Sequence, residues 1–270
     1  NNGLSLEARH LYTGVSYRHC MIWRGADPTY NFARPHDHLG EKIGAYLPRA
    51  ADGGVAFLEF MEKGFAVLDH HPVNERRRAQ GKNPANAPWL WSPGRKPALP
   101  SFKDKWHLDA SIVCAVDLIK GIGICAGCEV IPVPGATGNY YTNYLGKGEA
   151  AIDAFRRGRD LVYVHVEAPD ECGHQGNPLE KTSAIEKIDA EILSPVYQYL
   201  LDSGEDFRIL CLPDHPTPCE KRTHTSDPVP YFLYDSRTEK AGCAFTEANC
   251  AAMGDYNPAG HTLLSEMIEK

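Results

Sequence analysis

The sequence predicts an α/β fold: a mostly parallel sheet with helices on both faces, plus part of a second α/β region. Three observations carry this. From residue 111 onward, short apolar runs alternate with helix-period stretches, the pattern of strand–helix units that stack into a parallel sheet. Residues 1–105 read differently, with Pro- and Gly-rich loops around one strongly periodic helix. Loops rich in His and Asp follow two of the expected strands, at the carboxyl edge where such sheets form their ligand sites.

In chain order, His36-Asp37-His38 sits in a loop bounded by Pro35 and Gly40. Phe57, Phe60, Met61, Phe65 and Leu68 recur at three- and four-residue steps, so 57–71 is expected to be helical and Pro72 to end or kink the helix. Residues 81–105 carry five prolines and two tryptophans, Trp89 and Trp91. That stretch reads as an ordered loop at a domain junction, with the tryptophans packed there. Strands are expected at 111–116, 129–133, 161–166, 207–212 and 229–234, and helices at 146–157 and 181–201, where Ala184, Ile185, Ile188 and Ile192 share a face.

Of the 270 residues, 43% are hydrophobic and 23% charged, an ordinary globular balance. Net charge is −7 and no basic run exceeds Arg76-Arg77-Arg78, so no nucleic-acid partner is expected. That triplet reads as a solvated helix face ahead of a phosphate clamp. No apolar run is long enough to span a membrane, and the N-terminus does not read as a signal peptide. The nine cysteines are scattered. Cys114, Cys125 and Cys211 lie in apolar, strand-like runs, as reduced buried thiols do, so a cytoplasmic location is expected. Cys125 and Cys128 form a lone CxxC without a second ligand pair, and packing is the preferred reading.

The candidate chemistry is concentrated between residues 161 and 224. Asp170 and His174, four apart, can reach one cation across a helical turn or a loop. Asp214 and His215 directly follow a strand, in a loop stiffened by Pro216 and Pro218. Neighbouring residues point apart, so this pair can meet different faces of two ions. His224 is the third element. Each residue alone is more simply a surface or core group, but the five together suggest a metal site. Mixed carboxylate and imidazole ligands suit Zn2+ or Mn2+ better than Ca2+ or Mg2+. Two such ions can hold a phosphoryl oxygen and acidify an attacking hydroxyl.

The segments VYVHVEAPDECGH (162–174), LPDHPTP (212–218) and RTHTSDPVPYF (222–232) resemble the metal-site segments of cofactor-independent phosphoglycerate mutases of the archaeal type, in the alkaline phosphatase superfamily. GVSYRH (14–19), PHD (35–37), HPVN (71–74), NPANAPWLW (83–91), AVDLIKGIGICAG (115–127) and VPGATGNYYTNYLGK (133–147) extend the likeness, which weakens after about residue 236. The resemblance implies an alkaline-phosphatase-like fold. Residues 1–105 would be part of an inserted α/β substrate-binding domain, and 106–270 the C-terminal part of a metal-binding phosphatase-like domain. It implies two divalent ions, Mn2+ or Zn2+, and no 2,3-bisphosphoglycerate. Asp170, His174 and His224 match the ligands of one ion, Asp214 and His215 those of the other.

The implied reaction interconverts 3-phosphoglycerate and 2-phosphoglycerate through a phosphorylated serine or threonine. No segment here resembles the DG-containing metal loop or the nucleophile region of that family. The chain is therefore expected to be the C-terminal two-thirds of a longer protein. It would be inactive alone or held with a separate N-terminal piece, and its second metal would be weakly held or absent.

A small phosphorylated hydroxy acid calls for cationic forks. Arg18 and Arg77 are the first candidates, with Lys120 facing the phosphoryl site or simply solvated at a strand end. His19, His36, Asp37 and Asn74 are candidates for the carboxylate or hydroxyls, or for structural hydrogen bonds. His165 is expected to be a satisfied core or sheet-face histidine, Glu167 a group that orients a metal ligand, and His261 a packing residue. Two rival readings stay open: a phosphatase or phosphotransferase of the same superfamily, acting on a substrate such as homoserine, and a non-catalytic metal-binding module.

Overall fold

The computed structural model describes residues 9–14, 17–38, 40–238 and 242–269. Contacts divide the chain into two compact units, Asn1–Pro97 and Ala98–Lys270.

In the first unit, β1 (Arg9–Tyr12) and β2 (Cys20–Trp23) pair antiparallel. Short 3-10 turns follow at Pro35–His38, Ile43–Ala45 and Ala50–Asp52. The periodic stretch forms α1 (Val55–Leu68), which buries Phe57, Phe60 and Met61. These are the three- and four-residue spacings that place side chains on one helix face. Trp23 meets Phe57 edge-on at 5.1 Å, and Tyr30 and Phe32 complete the cluster. The Arg9 guanidinium lies 3.8 Å over the Trp23 ring. Pro72 opens a new helix, α2 (Pro72–Ala79), behind an N-cap His71. Its missing N–H costs nothing at a helix start. Trp89 is packed within this unit, its indole N–H donating to Ala33 O at 2.9 Å.

The second unit begins before residue 105. Its first helix, α3 (Phe102–Trp106), is tied by Phe102 N–H to Ala126 O at 2.7 Å and by Lys103 to Asp109 at 2.8 Å. Then come β3 (Ala110–Val113), α4 (Asp117–Cys125), β4 (Glu129–Ile131), α5 (Tyr144–Arg156) and β5 (Leu161–Val164). They are followed by α6 (Ala168–Gln175), α7 (Pro178–Ile188) and α8 (Ser194–Ser203). The last elements are β6 (Arg208–Cys211), β7 (Phe232–Asp235), α9 (Glu247–Met253) and α10 (Leu263–Glu269).

The sheet order β4-β3-β5 is parallel throughout, with Ile112 opposite both Val130 and Tyr163. Central β3 is buried at every position. Tyr144, Ala168, Ala184 and Ile192 pack with Val164, Val166 and Ile188 as the core behind β5.

Three expectations are corrected. β7 pairs antiparallel with β6 in a separate two-stranded sheet. The helix expected over 181–201 is interrupted by a π turn at Asp189–Leu193. The turn precedes Pro195, whose ring would crowd the Glu191 carbonyl four residues back in a regular helix. The apolar run around Cys125 is helical: it forms α4, whose Gly123 faces Ile112 of β3, where a Cβ would lie 2.4 Å from Ile112 Cδ1.

Candidate metal centre

The loops after β5 and β6 bring the candidate ligands together. α6 carries Asp170 and His174, one turn apart on one face. Gly176 ends the helix in the left-handed region at φ 69°. The helix lies close against the loop after β6 because position 173 is glycine: a Cβ there would sit 2.3 Å from Thr217 O. The loop is folded on itself by Thr225 N–H to Pro216 O (3.1 Å) and by Lys221 and Arg222 N–H to Pro218 O. Lys181 Nζ on α7 donates to Thr217 O at 2.7 Å.

His174 Nε2 is 3.1 Å from His224 Nε2 and 3.4 Å from Asp170 Oδ2. His224 Nε2 is 3.3 Å from Asp170 Oδ1. Ligand atoms of Asp170, His215 and His224 lie within 4.8 Å of one another, and the His215 and His224 rings are 3.7 Å apart. Four of the five expected ligands therefore meet.

The hydrogen bonds assign the tautomers. His174 Nδ1 lies 3.0 Å from the carbonyl of Arg222, an acceptor only, so Nδ1 carries the proton. Thr217 Oγ1 donates its single proton to Asp170 and so accepts from His215 Nδ1 at 3.3 Å. Both imidazoles then present the lone pair of Nε2, the form a metal ion takes. Arg222 reaches its position with φ at 54°, a conformation a non-glycine residue adopts at some cost. Asp170, His215 and His224 form a group whose ligand atoms are close enough to hold a divalent cation, with His174 Nε2 beside it at 3.1 Å from His224 Nε2.

Asp214 differs. Its side chain is 75% exposed. Its contacts are with its own neighbour, accepting from His215 N–H at 3.1 Å and lying 3.4 Å from His215 Nε2.

The residues expected to meet substrate make the following contacts within their own units. Lys120 lies in the middle of α4, not at a strand end, and pairs with Asp117 at 3.2 Å. Arg18 is exposed and bonds Tyr17 OH at 3.3 Å. His19 Nδ1 accepts from Gly14 N–H. Arg77 donates to Asn83 O at 2.7 Å. Buried Asn74 bonds Leu68 O, Ala85 O and Ala85 N–H, which uses its amide on the local backbone. The side chains of His36 and Asp37 lie outside the described residues. His261 lines a cavity of about 260 Å³ with Leu99, Trp106 and Leu264; no candidate ligand lines it.

Sequence reasoning did not single out Thr217, Lys181 or Lys147. The first two anchor the loop through contacts that depend on the fold. Lys147 is fully buried, and burial pushes its pKa down to about 8 against the opposing pull of Cys114 and Glu167. His165 is not fully satisfied: its Nδ1 is buried without a partner among the described residues. Burial first, then Lys147, holds its pKa below the usual imidazole value.

The profile of a family described as the metalloenzyme superfamily matches residues 17–267. The chain is 48% identical over 238 residues to a 2,3-bisphosphoglycerate-independent phosphoglycerate mutase of Methanosarcina mazei, covering 88% of this chain and 59% of that protein. It is 43% identical over 262 residues to a probable enzyme of the same name from Geobacter sulfurreducens, covering 96% and 65%. It thus spans less than two thirds of the length of these relatives. Among solved structures, a Pyrococcus horikoshii protein superposes with a TM-score of 0.66 at 30% identity, over 83% of this chain and 58% of that one. The cofactor-independent phosphoglycerate mutase of Thermoplasma acidophilum superposes with a TM-score of 0.59 at 22% identity, over 99% and 67%, and supports the fold.

Proposed function

Because the chain belongs to the metalloenzyme superfamily, we propose that it carries most of the metal centre of an enzyme that interconverts 3-phosphoglycerate and 2-phosphoglycerate without 2,3-bisphosphoglycerate. The observation that carries this is the convergence of Asp170, His174, His215 and His224, with both Nε2 lone pairs of His174 and His215 freed by bonds on the opposite nitrogens. The names of the relatives supply the reaction. In this reading Asp170, His174 and His224 hold one divalent ion and Asp214 with His215 holds the second, Mn2+ or Zn2+ by ligand type.

When bound, such ions neutralise charge on the transferring phosphoryl group and help ionise a hydroxyl nucleophile. This chain's residues supply the framework. Thr217 fixes one oxygen of Asp170 and the tautomer of His215. The Arg222 carbonyl fixes His174. Residues 1–105 belong to a substrate-binding domain, with Arg18, His19, His36, Asp37, Asn74 and Arg77 as contacts; of these, Asn74 needs local rearrangement to take part. The serine or threonine nucleophile and the remaining ligands of the second ion come from sequence outside these 270 residues. The substrate is a small phosphorylated hydroxy acid, and the compartment is the cytosol.

The test joins the chain to the rest of its protein. Full-length protein with Mn2+ and 3-phosphoglycerate is expected to yield 2-phosphoglycerate without release of free phosphate, and the 270-residue chain alone to yield neither. Free phosphate as the main product would favour the phosphatase reading. Stoichiometric metal without turnover in the full-length protein would favour a binding module.

A further inference from the structure

We propose that Lys147 is a positioning residue for the metal centre, holding from inside the core the turn that delivers Asp170. The proposal rests on the metal-centre reading given above.

Lys147 lies on α5 with its side chain wholly buried, beside the core residues Tyr144, Ala151 and Ala154. A buried ammonium loses its hydration and is tolerated where it is paired and hydrogen-bonded. An apolar side chain of the same length would fill this space at lower cost, so packing does not account for a lysine. Its hydrogen bond runs from Nζ to the carbonyl of His165 at 2.9 Å.

His165 is the first residue beyond β5. Its N–H donates to Val113 O at 2.9 Å, so its peptide groups are pinned on one side by the sheet and on the other by Lys147. Five residues later the chain presents Asp170. In between, Glu167 opens α6, with its carbonyl accepting from the N–H groups of Asp170 and Glu171 at 3.0 and 3.1 Å. The carboxylate of Glu167 favours the charged form of Lys147 and lies against Gly138. One ammonium therefore fixes the exit of β5, and through it the start of the helix that carries two of the proposed ligands. Groups that support a ligand in this way affect metal affinity without touching the metal.

The test compares the full-length protein with its Lys147→Met variant in three measurements. These are Mn2+ affinity by calorimetry, amide exchange of residues 165–176 against α5, and the thermal midpoint. The variant is expected to exchange faster over 165–176 while α5 stays protected. Its Mn2+ affinity is expected to fall about 10-fold or more. Its midpoint should stay within a few degrees, because loss of the carbonyl bond and relief of a buried charge oppose each other. Lys147→Arg, which keeps charge and donor, is expected to retain most of the affinity. Unchanged local exchange with affinity within about twofold of the parent would overturn the proposal. So would a global loss in which α5 and 165–176 exchange in step. If the full-length parent binds no Mn2+, the metal-centre reading fails, and local exchange still decides the positioning role. Where Lys147→Met does not fold, Lys147→Gln carries the same comparison.

Discussion

Asp170 and Asp214 are both carboxylates just beyond a strand, yet the fold treats them differently. Asp170 has a side chain 24% exposed, accepts from the Thr217 hydroxyl and faces two imidazole nitrogens. Asp214 has a side chain 75% exposed, and its hydrogen bond among the described residues is with its own neighbour His215. Asp170 is held and oriented; Asp214 is an exposed carboxylate on the loop, although the ring of its neighbour His215 lies 3.7 Å from that of His224 and is bonded to Thr217. The difference suggests that ligand direction here depends on supporting bonds as much as on residue type. A rigid helix close to a folded loop provides those bonds, and a loop tip does not.

The largest effect should come from the Asp170 side. Asp170→Asn or His224→Ala is expected to reduce Mn2+ affinity beyond the 10–100-fold that a supporting residue costs, as calorimetry can read. If Asp214→Asn costs as much, the contrast between the two carboxylates is broken. Next comes Thr217→Val, which keeps the shape and removes the hydroxyl. It should weaken Mn2+ binding about 10–100-fold and release the His215 tautomer that the hydroxyl fixes, visible in its imidazole nitrogen shifts.

Asn74→Ala sharpens the contrast from the other unit. It strands Ala85 O and Ala85 N–H, while Leu68 O keeps His71 N–H, at a cost of about 1–3 kcal/mol in chemical denaturation, with Mn2+ affinity unchanged. Asp214→Asn should then change binding of the first ion less than Thr217→Val does.

The smallest effect concerns Glu129, whose carboxyl is held below its usual value by Arg157, then by the Ser111 hydroxyl. A lowered folded-state pKa adds stability above the unfolded value of about 4.3, and that stability is lost as pH falls through the folded value. Glu129→Gln should therefore lower the thermal midpoint by about 1–3 °C near pH 7, a small step because the pair is partly exposed. The gap to the parent should close on acidification below pH ~4.

Much of this was legible in the residue pattern, and the failures have causes. The parallel core was readable because β3, β4 and β5 are short β-branched runs between helical periods. Asp170 and His174 were readable because one helical turn separates them. α4 was not: its Gly- and Ile-rich run resembles a strand until β3 is there for Gly123 to face. The antiparallel pairing of β7 was hidden because strand direction is set by the path of the connection, not by composition. Thr217 and Lys147 were hidden because what they hold is a carboxylate 47 residues away and a carbonyl 18 residues away. The polar candidates of the first unit looked alike in sequence; contacts separate Asn74, locked onto backbone, from exposed Arg18.

Anomalous scattering at the manganese edge, from crystals grown with Mn2+, tests the central claim most directly. The account predicts a strong peak within ligand distance of Asp170, His174 and His224, and a weaker one at Asp214 and His215. No peak beside Asp170, or a sole peak at Cys125 and Cys128, would contradict it.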